Sequence, residues 1–203
     1  MDNTPVIAQA LGKEWDKLHP LVRRHYGIPP GTVSHVIMKG EMREVYYSRR
    51  AAPLIHIARV FGALVAKRAT AIPVMVINSS RHGDTAMHWH RTFRYPDGTE
   101  RTFESRMVYA GGNEIIEYVR FGLGIRMAMS VKDGALLFES RGLHWGRPHA
   151  GLPIPDMLLL GRSHIIERAI SDEQFEVEFD TRHPLYGKNF GYNGTFRIIE
   201  ASE

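Results

Sequence analysis

Arg91 and Glu117 stand at positions where alternation otherwise places only apolar side chains. Residues 86–95 read Ala-Met-His-Trp-His-Arg-Thr-Phe-Arg-Tyr. In an extended strand successive side chains point to opposite faces, so Met87, Trp89, Arg91, Phe93 and Tyr95 share one face and His88, His90, Thr92 and Arg94 the other. A guanidinium on the apolar face needs a partner, because burying an unpaired charge is costly. Segment 113–121 supplies one: Ile115, Glu117, Val119 and Phe121 share a parity, which puts a single carboxylate on an oily face. Two chemistries fit the pair. It is either a buried ion pair that fixes strand register, or the polar anchor of an apolar cavity. In the second case Glu117 is the candidate general base and Arg91 the candidate stabiliser of an oxyanion.

The neighbouring segments extend the same surface. Phe103, Ser105, Met107 and Tyr109 share one face, and Ile125, Met127, Met129 and Val131 another. Methionine is adaptable and suits an apolar pocket of irregular shape. Near the end of the chain Phe190, Tyr192, Phe196 and Ile198 alternate with Gly191, Asn193, Thr195 and Arg197, so Tyr192 either carries its hydroxyl inward, where it needs a partner, or reaches with it to the barrel rim. The candidate ligand contacts are therefore Trp89, Arg91, Phe93, Ser105, Met107, Tyr109, Glu117, Met127, Met129 and Tyr192.

Other reactive residue types point elsewhere. His88 and His90 project together, but from the polar face and without further ligands at metal-binding spacing, so they read as a solvated row and no metal site is expected. Residues 139–151 gather Glu139, Arg141, His144, Trp145 and His149 at no spacing that defines a catalytic arrangement, and read as a polar loop. Glu167 has ambiguous parity and is read as structural.

The elements that must position these residues follow from period and turn signals. Asp97-Gly98, Gly111-Gly112-Asn113 and Asp133-Gly134 separate alternating runs, the signature of hairpins. Strands are predicted over 33–48, with a bulge or bend at Gly40, and over 73–79, 85–95, 101–110, 113–121, 123–132, 135–145, 163–170, 174–180 and 190–199. Pro148, Pro153 and Pro155 argue against regular pairing over 146–161, with a short helical turn at Asp156–Leu160. Helical spacing appears in residues 4–26, broken at Pro20 and ended by Gly27-Ile-Pro-Pro-Gly31. It returns in Ala52–Lys67, where Leu54, Ile57, Ala58, Phe61, Leu64 and Val65 form one face. About ten strands with two helical pieces imply an α+β, mostly antiparallel fold: a lipocalin/calycin-like curved sheet or barrel. A START-like helix-grip is the alternative, but it would end in a long helix where this chain ends in a strand. A single domain over 1–203 is expected, with residues 1–30 a helical segment packing on the barrel.

Composition narrows the function. At 203 residues with 43% hydrophobic and 24% charged residues, the chain can bury a sizeable core. A formal charge of +4, spread over pairs such as Arg23-Arg24 and Arg49-Arg50, gives no basic stripe, so no nucleic-acid partner is expected. No apolar run is long enough to span a bilayer, and the start lacks a basic-then-apolar leader. With no cysteine there is neither disulfide nor thiolate, and a cytoplasmic location is expected. Dinucleotide, Walker, zinc-protease and nucleophile-elbow motifs are missing, so no cofactor is expected.

The series Trp89-His-Arg91-Thr-Phe93, Gly151-Leu-Pro153-Ile-Pro155, Phe175-Glu-Val177 and Tyr192-Asn-Gly194 resembles an uncharacterised bacterial domain family. Its members occur alone or fused behind saccharopine-dehydrogenase-like NAD(P)-binding domains, and the likeness runs from about Leu18 to Ile199. The resemblance implies an association with reductase chemistry on small metabolites; lacking the reductase part, this chain would work alone or with a separately encoded reductase. Three functions follow as expectations. The first is binding of an apolar or amphipathic small molecule in a barrel cavity. The second is cofactor-independent acid–base chemistry there, as an isomerase, dehydratase or cyclase. The third is a non-catalytic role beside a reductase.

Overall fold

The computed structural model describes residues 3–62, 67–158 and 161–202. The chain opens with helix α1 (Val6–Leu11), a 3₁₀ segment (Gly12–Lys17) and helix α2 (Pro20–Tyr26). Pro20 occupies the first turn of α2, where its missing N–H costs nothing, and the His19 ring accepts from Leu21 N–H at 3.3 Å. Strand β1 (His35–Tyr47), helix α3 (Ala52–Val60) and strands β2 (Ala69–Ser79), β3 (Met87–Arg94), β4 (Glu100–Gly111), β5 (Glu114–Tyr118), β6 (Leu123–Lys132) and β7 (Ala135–Trp145) follow. The chain then runs through β8 (Leu152–Ile154), β9 (Arg162–Ala169), β10 (Phe175–His183) and β11 (Gly187–Ser202).

Every pairing is antiparallel. The order β6-β5-β4-β3-β2-β1-β11-β10-β9-β7 is closed by a β6–β7 ladder into a ten-stranded barrel, with β8 added outside β7. Closure leaves none of those ten strands as an open edge. Closure also removes the helix-grip alternative, since β11 pairs along β1 from Ser202 to Phe190 on one side and with β10 on the other, within the ring. Asp133 and Gly134 both have positive φ, the geometry of the tight hairpin turn expected there.

Turns 80–86, 112–113, 133–134 and 170–174 lie at one end, the floor. The β1–β2, β3–β4, β5–β6, β7–β9 and β10–β11 connections lie at the other, the rim. The N-terminal helices pack under the floor. His19 N–H donates to Gly134 O at 3.0 Å, Gly31 N–H to Asp84 O at 2.8 Å, and Leu18, Leu21, Val22 and Tyr26 are buried in the common core. Most inward side chains are apolar and most outward ones polar, the reverse of a transmembrane barrel. No described helix is long and apolar enough to cross a membrane.

Several local expectations are corrected. Val36, Met38 and Met42 face inward, but an extra residue at Arg43 shifts the β1–β11 register, so Val45 is buried and Tyr46 exposed. Gly40 marks a close approach and not the bulge itself: a Cβ there would lie 2.3 Å from the Phe196 ring and from Thr195 O. Helix α3 buries Ile55 and Ala58 and exposes Ile57, while Leu64 and Val65 lie outside the described residues. β5 stops at Tyr118, and Phe121 is turned out to solvent with φ +59°. Pro153 does pair, in β8, because an outer edge strand tolerates a residue without N–H.

Candidate functional site

The barrel encloses a cavity of about 170 Å³. A single water needs only about 10–15 Å³ on the same measure. Most of its wall is apolar, including Met38, Met42, Met107, Met127, Phe138 and Phe175. Its polar lining comes mainly from two clusters and from Tyr192 and Asp156, with Ser163 and Thr181 also on the wall.

The first cluster spans three adjacent strands. Arg91 on β3 donates from Nη1 to Ser105 Oγ on β4 at 3.0 Å and from Nη2 to Glu117 Oε1 on β5 at 3.1 Å. Ser105 Oγ donates to the same Oε1 at 2.5 Å. Pairing sets this geometry: Trp89 lies opposite Ser105, and Met107 opposite Glu117, so the three polar side chains step diagonally across one inner face. The guanidinium is held between rings, with Cζ 4.1 Å from the Trp89 centroid and 4.8 Å from that of Phe103. Glu117 is 8% exposed. Both of its hydrogen bonds fall on Oε1, and Oε2 makes none among the described residues.

The second cluster joins β9 to α2. Glu167, 2% exposed, accepts from Tyr26 Oη at 2.9 Å and makes a short contact with His25 Nδ1. His25 stacks on Phe175 at 5.0 Å and meets Trp89 edge-on at 5.3 Å, so both clusters touch one indole. His25 Nε2 is buried with no partner among the described residues. Burial, with Glu167 beside it, holds the Tyr26 hydroxyl well above its ordinary value.

Tyr192 on β11 faces the cavity between Phe179, at 5.0 Å, and Phe190, at 6.1 Å, and its hydroxyl makes no hydrogen bond among the described residues. Burial pushes it up to about 12, with Arg91 pulling the other way. Asp156, from the turn after β8, accepts from Ser140 Oγ at 2.6 Å through Oδ2 and leaves Oδ1 buried with no hydrogen-bond partner among the described residues. Burial raises its carboxyl above the ordinary value.

The structure brings Trp89, Arg91, Phe93, Met107, Glu117, Met127 and Tyr192 onto the cavity wall. Ser105 lies one hydrogen bond behind it, bound to Glu117. Tyr109 reaches the floor, donating to Gly112 O at 3.3 Å, and Met129 is buried in the core; neither lines the cavity. His88 bonds Asp84 at 2.8 Å and His90 bonds Glu104 at 3.0 Å on the outer face. Among the described residues no group of three ligating side chains could hold a metal ion. His144 is buried against Gly151 and bonds Arg147 O at 2.8 Å, which secures its loop.

His25, Tyr26 and Asp156 carried no signal by alternation, because a helix and a turn deliver them from outside the sheet pattern. Glu167 could have been found: in Ser163-His-Ile-Ile-Glu-Arg it shares parity with Ser163 and Ile165, both of which face the cavity.

Chemically, the site offers hydrogen-bond donors at Arg91 and Tyr192 and a carboxylate-oriented imidazole at His25. Structure comparison aligns the chain with the S-type phycobiliprotein lyase CPES from Guillardia theta at TM-score 0.37 and 7% identity, over 94% of this chain and 98% of that one. No curated protein matches the sequence. The sequence pattern of the family described as Domain of unknown function (DUF4166) matches residues 18–196, from just before α2 into β11, and the chain belongs to that family.

Proposed function

We propose that the barrel binds an amphipathic small molecule, with its apolar body against the methionine and phenylalanine wall and acceptor oxygens at one end. The observation that carries this reading is Tyr192: an inward hydroxyl, unbonded among the described residues, in the same cavity as Arg91. Arg91 uses two of its N–H groups on Ser105 and Glu117, and guanidinium has five. The remaining donors and the phenol suit a carbonyl or carboxylate oxygen. A buried donor facing an apolar void is costly without a ligand or water to accept from it.

Displacement of 1-anilinonaphthalene-8-sulfonate by medium-chain fatty acids and by the matching methyl ketones tests this. Wild type should bind and release the dye. Tyr192→Phe should weaken the oxygenated competitors about three- to tenfold, the worth of one hydrogen bond. Val76→Phe, which fills the void, should abolish binding while the barrel stays folded. Native mass spectra showing only unliganded protein, with no dye displacement, would sink the reading.

The His25–Glu167 contact favours a second reading, proton transfer on the bound molecule. A carboxylate that fixes an imidazole through Nδ1 leaves Nε2 as an acid or base, and here Nε2 has no partner among the described residues. Glu117 is the weaker base candidate, because one of its oxygens already serves Arg91 and Ser105. Solvent deuterium incorporated into a bound ketone, and lost in His25→Asn but kept in Glu117→Gln, would establish it. No incorporation with any ligand that binds would dismiss it.

A further inference from the structure

Apolar side chains left bare by the rest of the described chain gather at the rim. Phe121, 67% exposed, sits at the tip of the β5–β6 turn in a left-handed conformation that a bulky residue rarely adopts. Trp145, 51% exposed, donates Nε1–H to Phe121 O at 3.0 Å, and the Phe61 ring meets Phe121 edge-on at 6.0 Å. Leu152 lies opposite Trp145 across the β7–β8 pair and is exposed, as are Met157 and Leu158 on the next turn. Phe61, Phe121, Trp145 and Leu152 are thus linked into one patch, with Met157 and Leu158 exposed on the turn that follows β8. The floor, by contrast, exposes only scattered residues such as Val33 and Ile170.

The charge around the patch has one sign. Segments 119–122 and 145–158 carry Arg120 and Arg147, both exposed and neither in an ion pair among the described residues. Arg59, at the end of α3, is likewise exposed and unpaired. The one carboxylate in those segments, Asp156, is turned inward to Ser140. Exposed aromatics ringed by free arginines suit the boundary of a bilayer with anionic headgroups, where aromatic rings settle at headgroup depth and cations meet the negative surface.

We propose that this rim docks on an anionic bilayer surface. Docking would let an amphipathic ligand pass between the bilayer and the cavity without crossing water, and this exchange rests on the cavity-binding reading above. Co-sedimentation of the full chain with phosphatidylcholine vesicles, with and without phosphatidylglycerol, tests it. Wild type should pellet with the anionic vesicles and be released at high salt. Phe121→Asn, which tolerates the left-handed backbone, and Arg147→Glu should each cut the bound fraction about five- to tenfold with unchanged melting temperature. Val33→Asn, on the floor, should leave it unaltered.

Protein that stays in the supernatant with both vesicles overturns the proposal. So does equal binding to neutral vesicles, or a dimer in solution that Phe121→Asn dissolves, which would make the rim a contact between copies. The dye-displacement assay, run without vesicles, separates the two ideas. A chain that takes up ligand but never pellets loses only the docking surface, and one that pellets without taking up ligand loses only the cavity reading.

Discussion

Glu167 and His25 lie 142 residues apart in the chain and meet in the barrel interior, each side chain 2% exposed. The contact is the polar half of the joint between α2 and the sheet; Leu21 and Val22 supply the apolar half. Removing the carboxylate leaves the Tyr26 hydroxyl and the His25 ring without their acceptor in a dry setting. Glu167→Ala should therefore destabilise the protein by about 3–5 kcal/mol, read from urea unfolding. Glu167→Gln, whose amide oxygen can still accept from Tyr26, should cost distinctly less. Amide exchange should quicken first in residues 18–28, because that segment depends on the joint. Uniform quickening across the barrel would mean that Glu167 does not serve α2.

Arg91 and Glu117 call for a different test, since they pair with each other and with Ser105. Arg91→Met leaves Glu117 buried and bound only by Ser105, so it should cost about 3–5 kcal/mol. The double variant Arg91→Met, Glu117→Leu removes both charges and should recover most of that loss. Additive losses in the double-mutant cycle would show that the two do not act as a unit. A ligand readout on the double variant completes the argument: a register-fixing pair can be replaced without loss of binding, and a ligand anchor cannot.

The inward row of the barrel was legible because period-two alternation needs no tertiary information. Trp89, Arg91, Phe93, Met107, Glu117 and Met127 fell on the wall from parity alone. Parity fails wherever a strand gains a residue or stops, and neither event announces itself. Nothing in Met42-Arg-Glu-Val45 marks Arg43 as the extra residue, yet it decides that Val45 and not Tyr46 is buried. Phe121 continued the Ile115, Glu117, Val119 pattern, but Gly122 and the turn at Arg120 end the strand before the pattern does. Helical residues were harder still. His25 and Tyr26 lie on α2, where the short segment Pro20–Tyr26 fixes which face is buried but not what the last turn touches across the barrel.

Gly40 shows how a sequence signal can be real while its cause differs. A strand-interior glycine points to a bend or a close approach, and here Phe196 and Thr195 O occupy the space a side chain would need, each 2.3 Å from a Cβ. β11 cannot yield easily, because its Phe196 ring stacks on Phe175 at 5.8 Å. Gly40→Ala should cost about 1–3 kcal/mol through overpacking. Gly112→Ala offers the contrast: no atom lies within 4 Å of its Cβ, and its penalty comes from φ +58° alone. Equal melting temperatures for Gly40→Ala and wild type would mean that β1 and β11 can part at this point.

Asp156 makes stability depend on pH in a direction opposite to that of a paired surface carboxylate. Burial raises its carboxyl above the ordinary 3.8, with Ser140 and Arg162 pulling down. A raised folded value favours the protonated form in the folded state. That contribution is fully present below the unfolded value and is lost as pH rises through the folded one. Asp156→Asn has no proton to lose and can still accept from Ser140 through its amide oxygen. The variant should therefore match or trail wild type at the acid end, gain on it as pH rises through the folded value of Asp156, and keep a constant advantage above that. Paired melting curves from about pH 3 to 8 read the difference directly and cancel the titration of every other group. A melting difference that stays flat, or that shrinks as pH rises, would show that water or a bound group compensates the charge at Oδ1.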